Sequence, residues 1–344
     1  MSPPAVPPAS AADPLKPLDR QAVERFRADL TALAERGGAA PLDRIALAVS
    51  GGADSMAMLV LARAAFPGQV IAATVNHGLR AEAADEAALV AAACSTLNVP
   101  HATLAPLAPI AGSSVQKQAR EARYATLTAW LSRENVPLLL TAHHADDQAE
   151  TVLMRLNRAS GTPGLSGIRA VRRSGDLWIL RPLLRWRRHE LRATIAASGL
   201  TWVEDASNTD PRHDRTRYRA FLTGQSLLSA GSIAASAAHL QETEDALAAL
   251  ADQFWQQRWD DAAGRLRIED LPREIVRRLL RRAVAAVRSA NQVTQPRFSS
   301  ASNVEALLYT LELGHPGTQA GVMATPDADG GNWHFRPAPP RRSL

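Results

Sequence analysis

Cysteine is nearly absent from this chain: Cys94 is the only one in 344 residues. A single thiol excludes an internal disulfide, a CxxC metal site and a cysteine-ligated cluster. Set in an alanine-rich stretch, Cys94 reads as a small core residue. Lysine is almost as scarce, with only Lys16 and Lys117, so the basic side is almost all arginine. No apolar run is long enough to span a bilayer. The opening MSPPAVPPASAADPLKP has neither a basic n-region nor an apolar h-region, and residues 1–17 read as a Pro/Ala-rich disordered tail instead of a signal peptide. These absences imply a soluble, cytoplasmic protein with no membrane partner. What is present is 46% hydrophobic residues, enough for a sizeable core divided between two domains. The net charge of +5 and pI near 10.1 lean only weakly toward a polyanionic partner.

The stretch that organises the rest is Ala46-Leu47-Ala48-Val49-Ser50-Gly51-Gly52-Ala53-Asp54-Ser55. Its apolar half reads as a buried parallel strand, and Asp54 and Ser55 fall in the first turn of a following helix. Strand, glycine loop and helix start together form an anion site. Gly51 and Gly52 let the backbone turn tightly and approach a ligand, while Ser50, Ser55 and the free N–H groups of the helix start point at phosphate oxygens. A Walker A loop is excluded because no lysine follows the glycines, so Asp54 needs another role, most simply a bound Mg²⁺. The plain alternative is an ordinary strand-to-helix turn.

Residues 18–36 carry helical spacing and end at Gly37-Gly38. Strands over 44–49, 69–76, 101–107 and 137–142 then alternate with helices over 54–66, 81–97, 115–134 and 146–158. This alternation predicts right-handed crossovers and a doubly wound, mostly parallel α/β sheet, with ligands at the carboxyl ends of its strands. Three such ends carry suggestive residues: the glycine loop, Asn76-His77-Gly78-Leu79-Arg80, and Thr141-Ala142-His143-His144. Arg120 and Arg123 share a helix face as phosphate ligands or as a solvated face. Asp147, Glu150 and Thr151 line one face of the helix after the paired histidines. Either acid by itself is explained by the helix dipole, at about 0.3–1 kcal/mol. Beyond residue 222, a small polar linker precedes long helices. The second of these carries Arg273, Arg277, Arg278, Arg281, Arg282 and Arg288 around an apolar stripe, either as a solvated face or as an RNA contact.

Taken together, SGGADS, NHGLR, ARxxRY, TAHHADDQAETVLMRLNRASGTPGLSGI, Arg181-Pro182-Leu183-Leu184 and Trp202-Val203-Glu204-Asp205-Ala206-Ser207-Asn208 resemble the tRNA(Ile)-lysidine synthetase family of PP-loop, or N-type, ATP pyrophosphatases. The resemblance covers residues 40–222, about half the chain. It implies a Rossmann-like PP-loop ATPase domain over 18–222, a linker at 223–233 and a mostly helical C-terminal domain at 234–344 that contacts tRNA. The implied reaction joins free L-lysine to carbon-2 of the wobble cytidine of the isoleucine tRNA with a CAU anticodon. It proceeds through an adenylated tRNA, consumes ATP with Mg²⁺, and releases AMP and pyrophosphate.

By the same resemblance, Ser50, Gly51, Gly52, Ala53, Asp54 and Ser55 cradle the ATP phosphates, Asp54 holds Mg²⁺, and His77 lies near adenine. Arg120 and Arg123 neutralise phosphate charge, and His143 assists adenylation. Asp147 and Glu150, left free by the ATP half, bind the incoming lysine. A homodimer is an assembly the resemblance leaves open. The chain departs from the family pattern at Thr216, which stands where an Asn is usual. Arg215 and Arg219 survive beside it, with a phosphate or tRNA role. Alternative readings are another PP-loop enzyme, a nucleotide-binding regulator and an RNA-binding structural protein. The lone cysteine argues against amidotransferases and sulfur-inserting enzymes, and the paired acids are unexplained by the other two.

Overall fold

The computed structural model describes residues 16–39, 42–78, 83–106, 115–204, 214–299 and 301–339. Most of the N-terminal tail, Leu79 and Arg80, residues 205–208 of the Glu204 element and the last five residues therefore lie outside the described residues. The chain divides into two compact units, one reaching to Gln241 and the other running from Glu242 to the end.

The first unit opens with α1 (Arg20–Gly37), whose N-cap Asp19 accepts the Gln21 N–H and whose C-cap Gly38 adopts the left-handed conformation. The alternation expected from sequence follows: β1 (Ile45–Ala48), α2 (Ala53–Ala65), β2 (Val70–Val75), α3 (Ala83–Thr96), β3 (His101–Leu104), α4 (Val115–Glu134), β4 (Leu138–Leu140) and α5 (Ala145–Leu156). After a short α6 (Thr162–Leu165), the hairpin β5 (Val171–Ser174) and β6 (Leu177–Leu180), α7 (Arg188–Ser198) and α8 (Asp214–Thr223) complete it.

The sheet order is β3-β2-β1-β4-β6-β5, parallel except for the edge strand β5, which runs antiparallel to β6. Because both faces are covered, successive strand residues enter different cores. Ile45 and Leu47 of β1 with Leu138 and Leu140 of β4 join the core beneath α1, α2 and α7, while Ala46 and Leu139 join the one beneath α4. Helix α2 is apolar nearly all round, with Met56 through Ala62 fully buried, and it packs against both α1 and α7. Cys94 is buried in the first core, and burial pushes its thiol up to about 12, as befits an inert packing residue.

The chain runs outward from β1 through β2 to β3, then crosses back to place β4 on the other side of β1. The strand order therefore reverses between β1 and β4, and a crevice opens at their carboxyl ends. The glycine loop leaves β1 there, and the histidine-acid segment leaves β4.

The second unit holds the rest of α9 (Ala230–Arg258), followed by α10 (Arg273–Ala290), α11 (Glu305–Glu312) and a five-stranded antiparallel sheet. Its strands β7 (Trp259–Asp260), β8 (Arg265–Arg267), β9 (Gly317–Gln319), β10 (Val322–Pro326) and β11 (Asn332–Pro337) run in the order β7-β8-β11-β10-β9. The apolar stripe of α10, including Leu279, Leu280 and Val284, packs with Trp333 and Phe335 of β11.

The arginines of α10 have partners inside this unit. Arg273 and Arg277 pair with Glu305, Arg278 with Glu244 and Glu274, and Arg282 with Asp252, while Arg281 and Arg288 donate to backbone carbonyls. The helix is thus a hub of internal ion pairs. Its most buried pair is Arg278 with Glu244, side chains 11% and 7% exposed, joined by two N–H···O bonds of 2.8 and 2.7 Å. Arg278→Met strands the Glu244 carboxylate and is expected to cost about 3 kcal/mol in denaturant unfolding. Adding Glu244→Gln should restore part of it, and a loss under about 1 kcal/mol would show that the pair adds little.

Candidate active site

The loop from Ser50 to Ser55 is folded by its own residues. Gly51 has φ +89°, which disfavours any side chain there, and its carbonyl accepts the Val203 N–H at 2.9 Å. Gly52 is the N-cap of α2 and uses no side-chain cap, so the first N–H groups of the helix have no capping side chain. A Cβ on Gly52 would meet only the Ser50 hydroxyl, at 3.8 Å, which leaves the backbone open to a ligand. Ser55 is buried, accepts the Ser50 N–H at 3.1 Å and donates to the Gly52 carbonyl at 2.9 Å. Its hydroxyl therefore staples the loop from within. Ser50 is exposed and Ala53 buried.

Asp54, in the first turn of α2, approaches the residues that leave β4. Its Oδ2 lies 3.3 Å from Nε2 of His144, and its Oδ1 is buried without a hydrogen-bond partner. His144 caps α5 reciprocally. Its Nδ1 accepts the Asp146 N–H at 3.2 Å, and its own N–H donates to Asp147 Oδ2 at 3.0 Å. Asp146 is held by the Arg188 N–H at 2.9 Å and by the Arg187 guanidinium. Burial opposes its charge, but these bonds and that to His144 keep its carboxyl well below the usual range.

Asp147 and Glu150 face α8. Arg215 reaches Asp147 Oδ1 at 3.0 Å and Glu150 Oε2 at 2.7 Å, and Arg219 reaches Glu150 Oε1 at 2.7 Å. Glu150 is 1% exposed, and both its oxygens accept a guanidinium N–H. The sequence left these acids free to hold a cation. In the fold they already hold two arginines, and this pairing, across 65 or more positions, had no local sequence signal. Against the cost of burial, the charges of His144 and Arg215 keep the Asp147 carboxyl below its usual range.

The two histidines diverge. Burial drives His143 down to about 4, with Asp147 opposing and Arg181, Arg215 and Arg120 adding to the fall. It is therefore neutral at pH 7, with Nδ1 3.1 Å from the Thr141 hydroxyl. Burial works against charge on His144 also, yet its contacts with Asp146 and Asp54 and the charges of Asp147 and Asp54 push it up to about 9. Nδ1 accepts the Asp146 N–H, which leaves the ring proton on Nε2, and the Asp146 carboxylate lies 3.6 Å from Nδ1.

The remaining expected residues come together on the flank. At the end of β2, His77 Nε2 meets the exposed Arg123 Nε at 3.5 Å, and burial, then the Arg123 charge, lower the His77 pKa. The exposed Arg120 lies over the Tyr124 ring at 5.3 Å and is close enough to bias His143. The glycine-rich run after α5 braces the site from behind. Arg155 donates to the Gly164 and Gly167 carbonyls at 2.7 and 2.8 Å, and Gln148 binds the backbone of Ile168.

Among the described residues, no group of three or more His, Cys, Asp or Glu side chains could hold a metal ion. The buried, unpartnered Oδ1 of Asp54 nonetheless fits a Mg²⁺ ion shared with nucleotide phosphates, since Mg²⁺ is usually held by one or two carboxylates together with substrate phosphates. No helix among these residues is long and apolar enough to cross a membrane.

Residues 22–226 match the family described as PP-loop domain. The tRNA(Ile)-lysidine synthase of Novosphingobium aromaticivorans is 43% identical over 327 residues, covering 94% of this chain and 95% of that protein. The tRNA(Ile)-lysidine synthase of Zymomonas mobilis is 37% identical, covering 87% and 90%. Among solved structures, the U34-tRNA thiolase NcsA of Methanococcus maripaludis aligns with a TM-score of 0.52 at 17% identity over 64% of this chain and 79% of that one, a likeness of fold alone. With a glycine loop and an acidic helix meeting at the sheet's switch point, and with relatives matched over nearly their whole length, the chain belongs to the tRNA(Ile)-lysidine synthase family of PP-loop enzymes.

Proposed function

We propose that this enzyme joins L-lysine to carbon-2 of the wobble cytidine of the isoleucine tRNA with a CAU anticodon, using ATP. The observation that carries the reading is the 3.3 Å approach of Asp54, on the glycine loop, to His144 at the head of the acidic helix, which supports an ATP half and an amine half sharing one crevice.

The oxygen on carbon-2 of cytosine is a poor leaving group. In the first step it attacks the α-phosphorus of ATP, forming an AMP ester as pyrophosphate departs. In the second, the lysine ε-amine attacks carbon-2, the carbon–oxygen bond to AMP breaks, and the nitrogen loses a proton. The codon read then changes from methionine to isoleucine.

The open N–H groups at Gly52 and the start of α2 bind phosphate oxygens, and Arg120 and Arg123 face the same charge from α4. Mg²⁺ bound at Asp54 would neutralise charge building on the departing pyrophosphate. His143, neutral at pH 7, contributes a hydrogen bond and not a positive charge. His77, just past the end of β2, would sit beside the nucleoside. Lysine, whose amine is mostly protonated at pH 7, binds as its cation at Asp147 and Glu150 by taking the place of a guanidinium, and one of these acids accepts the proton.

The test is incubation with ATP, Mg²⁺, tRNA transcripts and separate acceptors. AMP and pyrophosphate should form only with the CAU isoleucine tRNA, and the modified cytidine only with lysine. AMP formation that ignores lysine and responds instead to ammonia or a sulfur donor would overturn the proposal.

A further inference from the structure

His144 is the most enclosed polar side chain of the site, 0% exposed, yet the chemistry just described gives it no task. Its ring is held from several sides. Nδ1 takes the Asp146 N–H at 3.2 Å, its backbone N–H is held by Asp147, and the next residue, Ala145, donates to the Trp186 carbonyl at 2.8 Å. This fixes Nε2 between two carboxylates from different elements, 3.3 Å from Asp54 Oδ2 on α2 and 3.6 Å from Asp147 Oδ2 on α5. Nε2 makes no aligned hydrogen bond to either, and the other oxygen of Asp54 has no partner at all. An N–H donor clamped there attracts one oxygen of Asp54 and so sets the direction of the second.

We propose that His144 is a positioning residue that ties Asp54 on the glycine loop to Asp147 on the acidic helix, and so aims the free Oδ1 of Asp54 at the metal-bound nucleotide. The inference rests on the ATP-binding reading of the loop. The alternative is that His144 only caps α5.

Two substitutions separate these roles, because the two ring nitrogens do different work. His144→Asn keeps a short acceptor near Nδ1 for the Asp146 N–H, as a good N-cap residue does, but it cannot reach Asp54. His144→Gln places an amide N–H near Nε2 and gives up the cap. Binding of Mn²⁺ with ATP to the full chain, read by electron paramagnetic resonance, and AMP formation with tRNA should both weaken about tenfold or more in His144→Asn, while His144→Gln stays closer to wild type. Melting temperatures should rank the other way, with His144→Gln the less stable. If binding, activity and melting temperature all rank in the same order, His144 is a cap only and the proposal falls.

Should His144→Gln fail to fold, a cycle with Asp54→Asn decides the matter. His144→Asn should weaken Mn²⁺-ATP binding far less in that background than in wild type, and equal weakening in both overturns the link. If the folded wild-type chain binds no Mn²⁺-ATP, the ATP-binding reading itself fails, an outcome distinct from failure of the His144 role.

Discussion

Asp54→Asn is expected to lower AMP and pyrophosphate formation at least about a hundredfold, on the order of 3 kcal/mol at the transition state, while leaving the fold intact. The size follows from where the charge sits. Asp54 stands in the first turn of α2, one oxygen facing His144 and the other buried with no partner. Asn keeps the shape and an atom for His144 to approach, so melting temperature should change little. It removes the negative charge that a cation shared with phosphate requires. The assay is pyrophosphate release with tRNA at saturating Mg²⁺, beside a thermal melt. Near-normal activity in a folded variant would take Asp54 out of the reacting site.

Glu150→Gln is expected to act on the other half-reaction. Truncating one partner of a buried charge pair costs a few kcal/mol, so the lysine concentration needed should rise by roughly a hundredfold, with tRNA-dependent pyrophosphate release largely spared. The fold adds a second consequence. Glu150 accepts from both Arg215 and Arg219 at 2.7 Å, and the glutamine amide turns a donor toward a guanidinium donor. Stability should therefore fall by about 1–3 kcal/mol. Lysine-dependent formation of the modified cytidine, set against pyrophosphate release, gives the split. Equal loss of both would move Glu150 to the ATP half, and lost stability with unchanged lysine dependence would make it only the anchor of α8.

The sequence by itself determined the sheet domain and marked the three strand ends of the candidate site. Each βα unit there is local, since its apolar run, glycine turn and helix start are consecutive, and α2 announces its burial through Met56-Ala57-Met58-Leu59-Val60-Leu61-Ala62. Glycine placement and a helix-first-turn acid were enough to mark the loop, and the motif series from SGGADS to TAHHADDQAET marked the family. What lay out of reach depends on contacts between distant residues. The hairpin β5–β6 and the five-stranded sheet of the second unit are short strands, too brief for a periodic signal. The arginines of α10 gave no hint that Glu244, Asp252 and Glu305 would pair with them.

Only the tertiary structure decided how the site's charges are arranged. It put Ser55 inward, bound Glu150 to Arg215 and Arg219, and shifted the pKa values of two adjacent histidines in opposite directions. Adjacent positions in sequence carry the same residue type but not the same surroundings. A histidine's charge is set by its dehydration and by the carboxylates within a few ångströms, and for His144 one of those, Asp54, arrives from a helix ninety residues earlier in the chain.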